Sequence, residues 1–234
     1  MQDQDAAGGR LTTLPMQLNF GLERDEEDDS RCARYVDPDA RITAHPPLVR
    51  IGTPPSYESW LDADAAWRVA RSLGTRPAAA IVSRGVLVAA ARGAASAAST
   101  ALRAIGSDPL GAEGATMAID GRIDITCARA LAGSSLDTLI ASHLDEDALT
   151  ELEAKPGRRV IVAGDADAGP PVEMHASAFG LIVHLPREAP IDVAACVRMG
   201  APFDEGAAAT ADLALRVLRQ LRGHSCVVVD PLGT

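Results

Sequence analysis

Hydrophobic positions fall into two kinds of segment that alternate along the chain. Amphipathic and alanine-rich segments with polar ends predict helices at 62–74, 94–106, 126–132, 145–154 and 204–222. Short unbroken apolar runs predict buried strands at 78–82, 115–119, 138–141, 159–163, 180–185 and 226–230. Strands that alternate with helices of this length predict a layered α/β fold with a largely parallel or mixed sheet.

The first fifty residues follow neither pattern. Residues 23–29 carry only charged side chains, which predicts a solvated loop, with a cation site as the alternative. Proline pairs at 46–47 and 54–55 favour extended or turning backbone over helix. We therefore expect regular structure to begin only after these prolines, behind a flexible N-terminus of residues 1–17.

Composition narrows the choice of interior and of partner. The core must consist mainly of aliphatic side chains, because 47% of the 234 residues are hydrophobic and only 3% are aromatic. The net charge of −10 argues against binding to nucleic acid or to an anionic membrane, since both attract basic surfaces. Arg84 and Arg92 interrupt the most apolar stretch, so no membrane span is predicted. Residues 1–10 lack the apolar core of a secretion signal, so we expect a cytoplasmic protein.

No metal or nucleotide motif is found in the sequence. The four cysteines include no C-x-x-C pair and have no nearby histidine at metal-ligand spacing. Residues 164–169, GDADAG, hold two carboxylates but lack the other ligands of a calcium loop, so a plain turn is favoured. A phosphate-binding glycine loop of the dinucleotide or P-loop type is missing as well. We expect no metal ion.

A series of segments follows in a recognisable order. They are LDADAAW at 61–67, PAAAIV at 77–82, STAL at 99–102, DPLGA at 108–112, IDGRID at 119–124, FGLIVH at 179–184 and HSCVVV at 224–229. Their order and spacing resemble the transformylase half of the AICAR transformylase/IMP cyclohydrolase family. The resemblance implies a layered α/β/α fold with a mixed sheet, of the transformylase or cytidine-deaminase-like type, over residues 18–234. This region is either one unit or two subdomains, 18–170 and 171–234, and we expect no cyclohydrolase domain.

The resemblance also implies partners. Members of the family pair through this domain and build their sites at the interface, so a homodimer is expected. Their reaction takes a formyl group from formyl-tetrahydrofolate, which is therefore the one cofactor that the resemblance implies. The residues themselves leave the cofactor unknown and indicate only a small-molecule substrate.

The family's reactive residues are replaced in this chain. Ser83 and Arg84 stand where the family has a Lys-His pair, and VLVA at 86–89 replaces Asn-Pro-Cys-Gly. The SAFGG turn reads GAEGA at 111–115. Formyl transfer needs a base with a near-neutral pKa, and an arginine side chain, with a pKa above about 12, cannot serve. We therefore expect the fold to be kept and ordinary formyl transfer to be lost.

Candidate site residues follow from these replacements. The catalytic candidates are a strand-end pair, a carboxylate in a glycine turn and a strand histidine: Ser83, Arg84, Glu113 and His184. Open α/β sheets hold ligands beyond the carboxyl ends of their strands, which favours the strand-end pair. The ligand-binding candidates match nucleotide-holding or turn positions of the family: Asn19, Phe20, Asp108 and Ser225.

Each catalytic candidate has a structural alternative. Arg84 could lie in an exposed loop, Glu113 could be a solvent-facing turn acid, and His184 could form a structural hydrogen bond at a sheet edge. The triple His224-Ser225-Cys226 suggests a nucleophile beside a base, but neighbouring strand residues point to opposite faces. Three functions stay open: an enzyme repurposed for a small polar molecule, a non-catalytic binding protein, and a formyltransferase with a rebuilt site.

Overall fold

The computed structural model describes residues 21–23, 34–36, 48–52, 55–164, 173–178, 180–184, 205–221 and 225–230. Its elements are β1 (Gly21–Glu23), β2 (Arg34–Val36), β3 (Leu48–Ile51), α1 (Tyr57–Ser72), β4 (Ala78–Ser83), β5 (Val86–Arg92), α2 (Ala97–Ser107), β6 (Thr116–Ile123), α3 (Ile125–Ala132), β7 (Thr138–Leu144), α4 (Glu146–Glu153), β8 (Arg159–Val162), β9 (Glu173–Ser177), β10 (Gly180–His184) and α5 (Glu205–Leu218). Within these ranges, none of the helices has both the length and the hydropathy that crossing a bilayer requires.

A six-stranded mixed sheet forms the centre of the fold, with the strand order β3-β8-β7-β6-β4-β5. Strands β6, β7 and β8 are parallel to one another. Strand β4 runs antiparallel to β6 and to β5, and β3 runs antiparallel to β8. The predicted layered α/β fold with a mixed sheet is thereby confirmed.

Helices cover both faces of this sheet, and each face has its own hydrophobic core. On one face, α2, α3 and α4 pack against residues such as Ile119 and Leu139. On the other face, α1 and α5 pack against a layer in which alanines and Ile140 are prominent. Alanine side chains let helix and sheet approach closely, which explains how a chain with few aromatic residues fills two cores.

Helix boundaries follow from local capping. The Ser56 hydroxyl accepts a hydrogen bond from the amide of Ser59 (3.3 Å), so α1 begins five residues earlier than the sequence pattern predicts. Ser96 and Ser99 form a reciprocal capping box at the start of α2. The Asp124 carboxylate accepts from the amide of Cys127 (2.7 Å) at the start of α3. The remaining predicted helices lie within four residues of the observed ends.

Several expectations about strands were wrong. Strand β5 was not predicted: VLVA at 86–89 falls between the strand predicted at 78–82 and the helix predicted at 94–106, whereas it pairs with β4 as a hairpin. Strands β1, β2 and β3 precede residue 52, although regular structure was expected only later; β3 follows a proline directly, which an edge strand tolerates. Residues 226–230 form no strand; Val227 and Val229 pack on the α1 face instead, and Val228 is exposed.

An ion-pair cluster attaches α5 to the rest of the fold. The Asp212 carboxylate lies 2.8 Å from both Arg92 and Arg216. Arg92 donates further to the carbonyls of Leu73 and Ala209, and Arg216 donates to the Ser72 carbonyl. Burial alone would raise the pKa of Asp212, but hydrogen bonds from the two arginines outweigh it and lower that pKa.

Replacing Asp212 by asparagine should destabilise the fold at neutral pH and matter less in acid. A carboxylate whose pKa is lowered on folding stabilises the fold above its unfolded pKa, near 4, and this stability is lost as the pH falls through the folded pKa. We expect Asp212→Asn to lower the unfolding free energy by about 1–2 kcal/mol at pH 7. Urea unfolding of the parent protein and of Asp212→Asn, at neutral pH and at about pH 3, measures this loss. The difference in unfolding free energy between the two proteins should be smaller in acid. A difference of equal size at both pH values would contradict a lowered pKa for Asp212.

Candidate functional site

The two ends of the central sheet differ in the turns, strand ends and helix starts that lie there. At the hairpin end lie the β4–β5 turn and the amino ends of β6, β7 and β8. At the opposite end, which we call the cap end, β6 and β7 finish and α3 and α4 begin. Parallel sheets hold ligands at the carboxyl ends of their strands, which here is the cap end.

Ser83 and Arg84 lie at the hairpin end. Their strand runs against the parallel strands, so the carboxyl end of β4 falls beside the amino ends of its neighbours. The expectation that Arg84 stands at the usual ligand end of an α/β sheet was therefore wrong. Sequence alone did not give the direction of β4, and the error follows from that.

Arg84 occupies the first of two central positions in a tight turn. Arg84 and Gly85 both have positive φ, 51° and 75°, as a type I′ hairpin turn requires. Both turn amides donate to the Asp62 carboxylate of α1, at 2.9 Å for Arg84 and 2.7 Å for Gly85. The Arg84 side chain is exposed, and Ser83 is half-buried. Asp62 thus holds the hairpin backbone, while the Arg84 side chain stays exposed to solvent.

The turn that follows α2 reaches the same end. The Asp108 carboxylate accepts from the Gly111 amide (2.9 Å), which closes the turn. A β-carbon at Gly111 would lie 2.5 Å from both Val88 and Asp108, so only glycine fits at this approach. Glu113 is exposed, and the Gly114 amide donates to the Ser135 carbonyl (3.1 Å).

Strand pairing brings these two turns together. Val82 on β4 pairs with Thr116 on β6. Arg84 follows Val82 by two residues and Glu113 precedes Thr116 by three, so both lie at the same end of the sheet. Thr116 also pairs with Thr138, which puts Asp137 at that end as well. Asp137 was not a candidate in the sequence. No signal in the sequence marks it, because its place at this end depends on the direction in which β7 runs beside β6.

Four predicted site residues remain: Asn19, Phe20, His184 and Ser225. His184 lies on β10, in a two-stranded sheet with β9 that makes no ladder with the central sheet. Its side chain, together with Asn19 and Phe20, lies outside the described residues. Ser225 is exposed after α5. The structure thus collects Ser83, Arg84, Asp108 and Glu113 at the hairpin end.

The cap end holds a buried carboxylate that the sequence did not reveal as a site. Asp120 on β6 is 4% exposed and lies 3.2 Å from Arg71 and 3.0 Å from Arg76. The Ser142 hydroxyl donates to the same carboxylate at 3.3 Å. Both arginines belong to α1 or to the segment after it, so this group joins α1 to two strands. Its acceptor oxygens are occupied by protein donors, which indicates a structural role.

Cys127 is not a nucleophile at neutral pH. It is buried near the start of α3, and burial, assisted by the negative charge of Asp124, raises its pKa to about 12. Cys226, by contrast, is an exposed free thiol. Over the ranges that the structure describes, no group of histidine, cysteine and acidic side chains is arranged to hold a metal ion.

Sequence comparisons with known proteins point to one family. The AICARFT/IMPCHase bienzyme family matches residues 26–231. The bifunctional purine biosynthesis protein PurH of Aquifex aeolicus is 31% identical over 153 residues, which cover 65% of this chain and 30% of that protein. PurH of Deinococcus radiodurans is 31% identical over 168 residues, covering 65% and 32%. The chain spans about a third of the length of these curated relatives.

A solved structure shows a weaker likeness. RibD of Acinetobacter baumannii, form 2, has a TM-score of 0.32 and 21% identity over 45% of this chain and 36% of that one. The family match, in contrast, covers most of the sequence and both turns at the hairpin end. The chain accordingly belongs to the AICARFT/IMPCHase bienzyme family.

Proposed function

We propose that this chain is a repurposed member of its family, an enzyme that acts on a small polar molecule at the hairpin end. The molecule is purine-like or amine-bearing, the setting is specialised metabolism in the cytoplasm, and the protein works as a homodimer. The observation that carries the proposal is the antiparallel pairing of β4 with β6, which gives the Arg84 and Glu113 turns a common position.

Each residue has a role in the proposal that its chemistry permits. The exposed Arg84 guanidinium offers several N–H donors to an anionic group or a developing oxyanion. Glu113, in an exposed turn, is the group that accepts a proton. His184 remains the alternative proton-transfer group. Asp62 acts through the backbone, because its carboxylate fixes the turn that carries Arg84.

The reaction that we propose is not folate-dependent formyl transfer. That transfer requires an imidazole or a similar base beside a weakly nucleophilic amine. Among the side chains that the structure describes at the hairpin end there is no histidine, and Arg84 stands where the family has its Lys-His pair. Incubation with aminoimidazole carboxamide ribonucleotide and formyl-tetrahydrofolate should therefore yield no formylated product.

The test of the proposal is a screen followed by mutagenesis. Purine nucleotides and aminoimidazole carboxamide ribonucleotide are screened by thermal shift, and each compound that binds is incubated with the protein and followed by mass spectrometry. For a compound that is converted, Glu113→Gln should lower turnover about a hundredfold, the loss typical of a general base. Arg84→Met should lower turnover about tenfold, as the loss of a charged hydrogen bond predicts.

A matched control is Asp147→Asn, an exposed carboxylate near the start of α4 at the cap end, which should keep full turnover. The proposed catalytic roles would be wrong if all three variants, Arg84→Met, Glu113→Gln and His184→Asn, converted the compound at the wild-type rate. Formylated product that depends on formyl-tetrahydrofolate would instead support a rebuilt formyltransferase.

A second function, ligand binding without turnover, is favoured by one contact. The amides of Arg84 and Gly85 are already hydrogen-bonded to Asp62, so the hairpin backbone does not offer them to a reacting oxygen. A compound that raises the melting temperature but stays chemically unchanged over long incubation would identify this case.

A further inference from the structure

A buried arginine near the hairpin end has more hydrogen-bond donors than partners. Arg158, directly before β8, is 1% exposed. Its Nη2 atom donates to the carbonyl and the hydroxyl of Ser134, at 3.0 and 3.1 Å. Its Nε and Nη1 atoms are buried and have no hydrogen-bond partner. A fully buried guanidinium normally faces a carboxylate or another oxyanion, so these two donors require an explanation.

A second cation shares a hydrogen-bond acceptor with Arg158. Lys155 donates to the carbonyls of Ser134 and Leu136, at 3.1 and 2.7 Å, and the positive charge of Arg158 helps to lower the pKa of Lys155. Burial is the larger cause of the lowered pKa of Lys155, and burial also lowers that of Arg158. Two cations thus meet in a protein whose net charge is −10.

The available carboxylate does not neutralise this pair. Asp137 lies 3.8 Å from the Lys155 ammonium and is exposed; its negative charge also acts on Arg158, but it makes no hydrogen bond to that guanidinium. An exposed ion pair at this distance contributes little. One exposed carboxylate therefore faces two cations, and the pair keeps an excess of positive charge.

We propose that Arg158 and Lys155 form a binding site for an oxyanion, the phosphate or carboxylate group of a small molecule. The guanidinium fork presents Nε and Nη1, a geometry that matches two oxygens of such a group. Lys155 adds a point charge, whereas the Ser134 hydroxyl donates its proton to the Leu131 carbonyl (2.7 Å) and does not serve the anion. A bound oxyanion would supply the hydrogen bonds that the two orphaned nitrogens lack.

Access to this site runs through the loop between α3 and β7. Ser134 holds the guanidinium, and Gly133, Ser135 and Asp137 of the same loop are exposed. The proposal requires this exposed loop to open locally, so that an oxyanion can reach the buried nitrogens. This oxyanion site does not depend on turnover at Arg84 and Glu113, and it stands whether the chain is an enzyme or a binding protein.

Inorganic phosphate and acetate are the probes that test the site. The full chain is unfolded by heat in rising phosphate, rising acetate, or chloride, always at constant ionic strength. We expect the melting temperature to rise with the logarithm of one oxyanion's concentration, as binding to the folded state requires. A response to phosphate indicates a phosphate group as the ligand, and a response to acetate alone indicates a carboxylate.

Variants separate binding from general ionic effects. Arg158→Met should weaken the oxyanion response about tenfold or more, the loss expected for charged hydrogen bonds. Without oxyanion the same variant should be as stable as the parent or more so, because an apolar side chain of similar size removes an unpaired buried charge. Arg158→Lys should keep part of the response, and Arg129→Met, which changes an exposed arginine of α3, should keep all of it.

Three results would overturn the inference. One is a melting temperature that follows oxyanions and chloride alike, and another is an unchanged response in Arg158→Met. The third is a strong loss of stability in Arg158→Met without oxyanion, which would make Arg158 a structural tie to Ser134. Arg84→Met and Glu113→Gln should keep the phosphate or acetate response, so a failure of the proposed function is distinguished from a failure of this site.

Discussion

Replacing Asp120 by alanine is expected to lower the free energy of unfolding by about 3–5 kcal/mol, the loss typical when one partner of a buried ion pair is removed. The Asp120 carboxylate is buried on β6 between Arg71 and Arg76 and accepts from Ser142 on β7. Without it, the largely buried charge of Arg71 and the buried Ser142 hydroxyl lose this acceptor. Urea unfolding at neutral pH, followed by circular dichroism, measures the difference.

An exposed carboxylate of α1 gives the matched control. Asp64 pairs with Arg68 one turn away at 2.8 Å, and the Asp64 side chain is 58% exposed while that of Arg68 is 36% exposed. Asp64→Ala should therefore cost about 0.5 kcal/mol or less, as surface helix pairs do. If Asp120→Ala unfolded at nearly the same urea concentration as Asp64→Ala, the buried network would not be a main support of the fold. Asp120→Asn, which keeps the shape, should fall between the two.

Most of the fold could be predicted from the sequence, because the central strands are buried on both faces and appear as unbroken apolar runs. Unbroken runs such as AAAIV at 78–82 are what a central strand needs when helices cover both sides. Strand β5 was not predicted, because it follows β4 after a turn of only two residues. The pair Arg84-Gly85 lacks the asparagine or aspartate that usually marks such a turn, and Asp62, far away in the sequence, supplies the missing carboxylate.

The candidate site was less readable, because it depends on strand direction and on burial. Arg84 and Glu113 were identified because they stand at positions where the family's motifs are replaced, and strand pairing brings their turns to one end of the sheet. Whether that end is the carboxyl or the amino end of the parallel strands cannot be read from the apolar runs. Arg158 is one arginine among many in the sequence, and only the packing of Ser134 against it distinguishes it.

Trp67→Ala is the second substitution from which we expect a loss of about 3–5 kcal/mol, the range for removing a large aromatic side chain from a core. Trp67 lies on the buried face of α1, is 6% exposed, and belongs to a core built largely of alanines. The guanidinium of Arg71 lies 5.7 Å from the centre of its ring, so the ring also supports the arginine that pairs with Asp120.

The alanine-rich surroundings place this loss in the upper part of that range. A cavity shrinks when neighbouring side chains turn into it, and the short alanine side chains around Trp67, among them Ala63, Ala66 and Ala70, have no rotamers with which to do so. Leu61→Ala is the control on the same helix, since Leu61 is half exposed and should lose about 0.5 kcal/mol or less. Chemical unfolding measures the loss of unfolding free energy in both variants. If Trp67→Ala lost as little as Leu61→Ala, α1 would be able to move in and fill the space. The close alanine packing would then not hold the helix rigidly on the sheet.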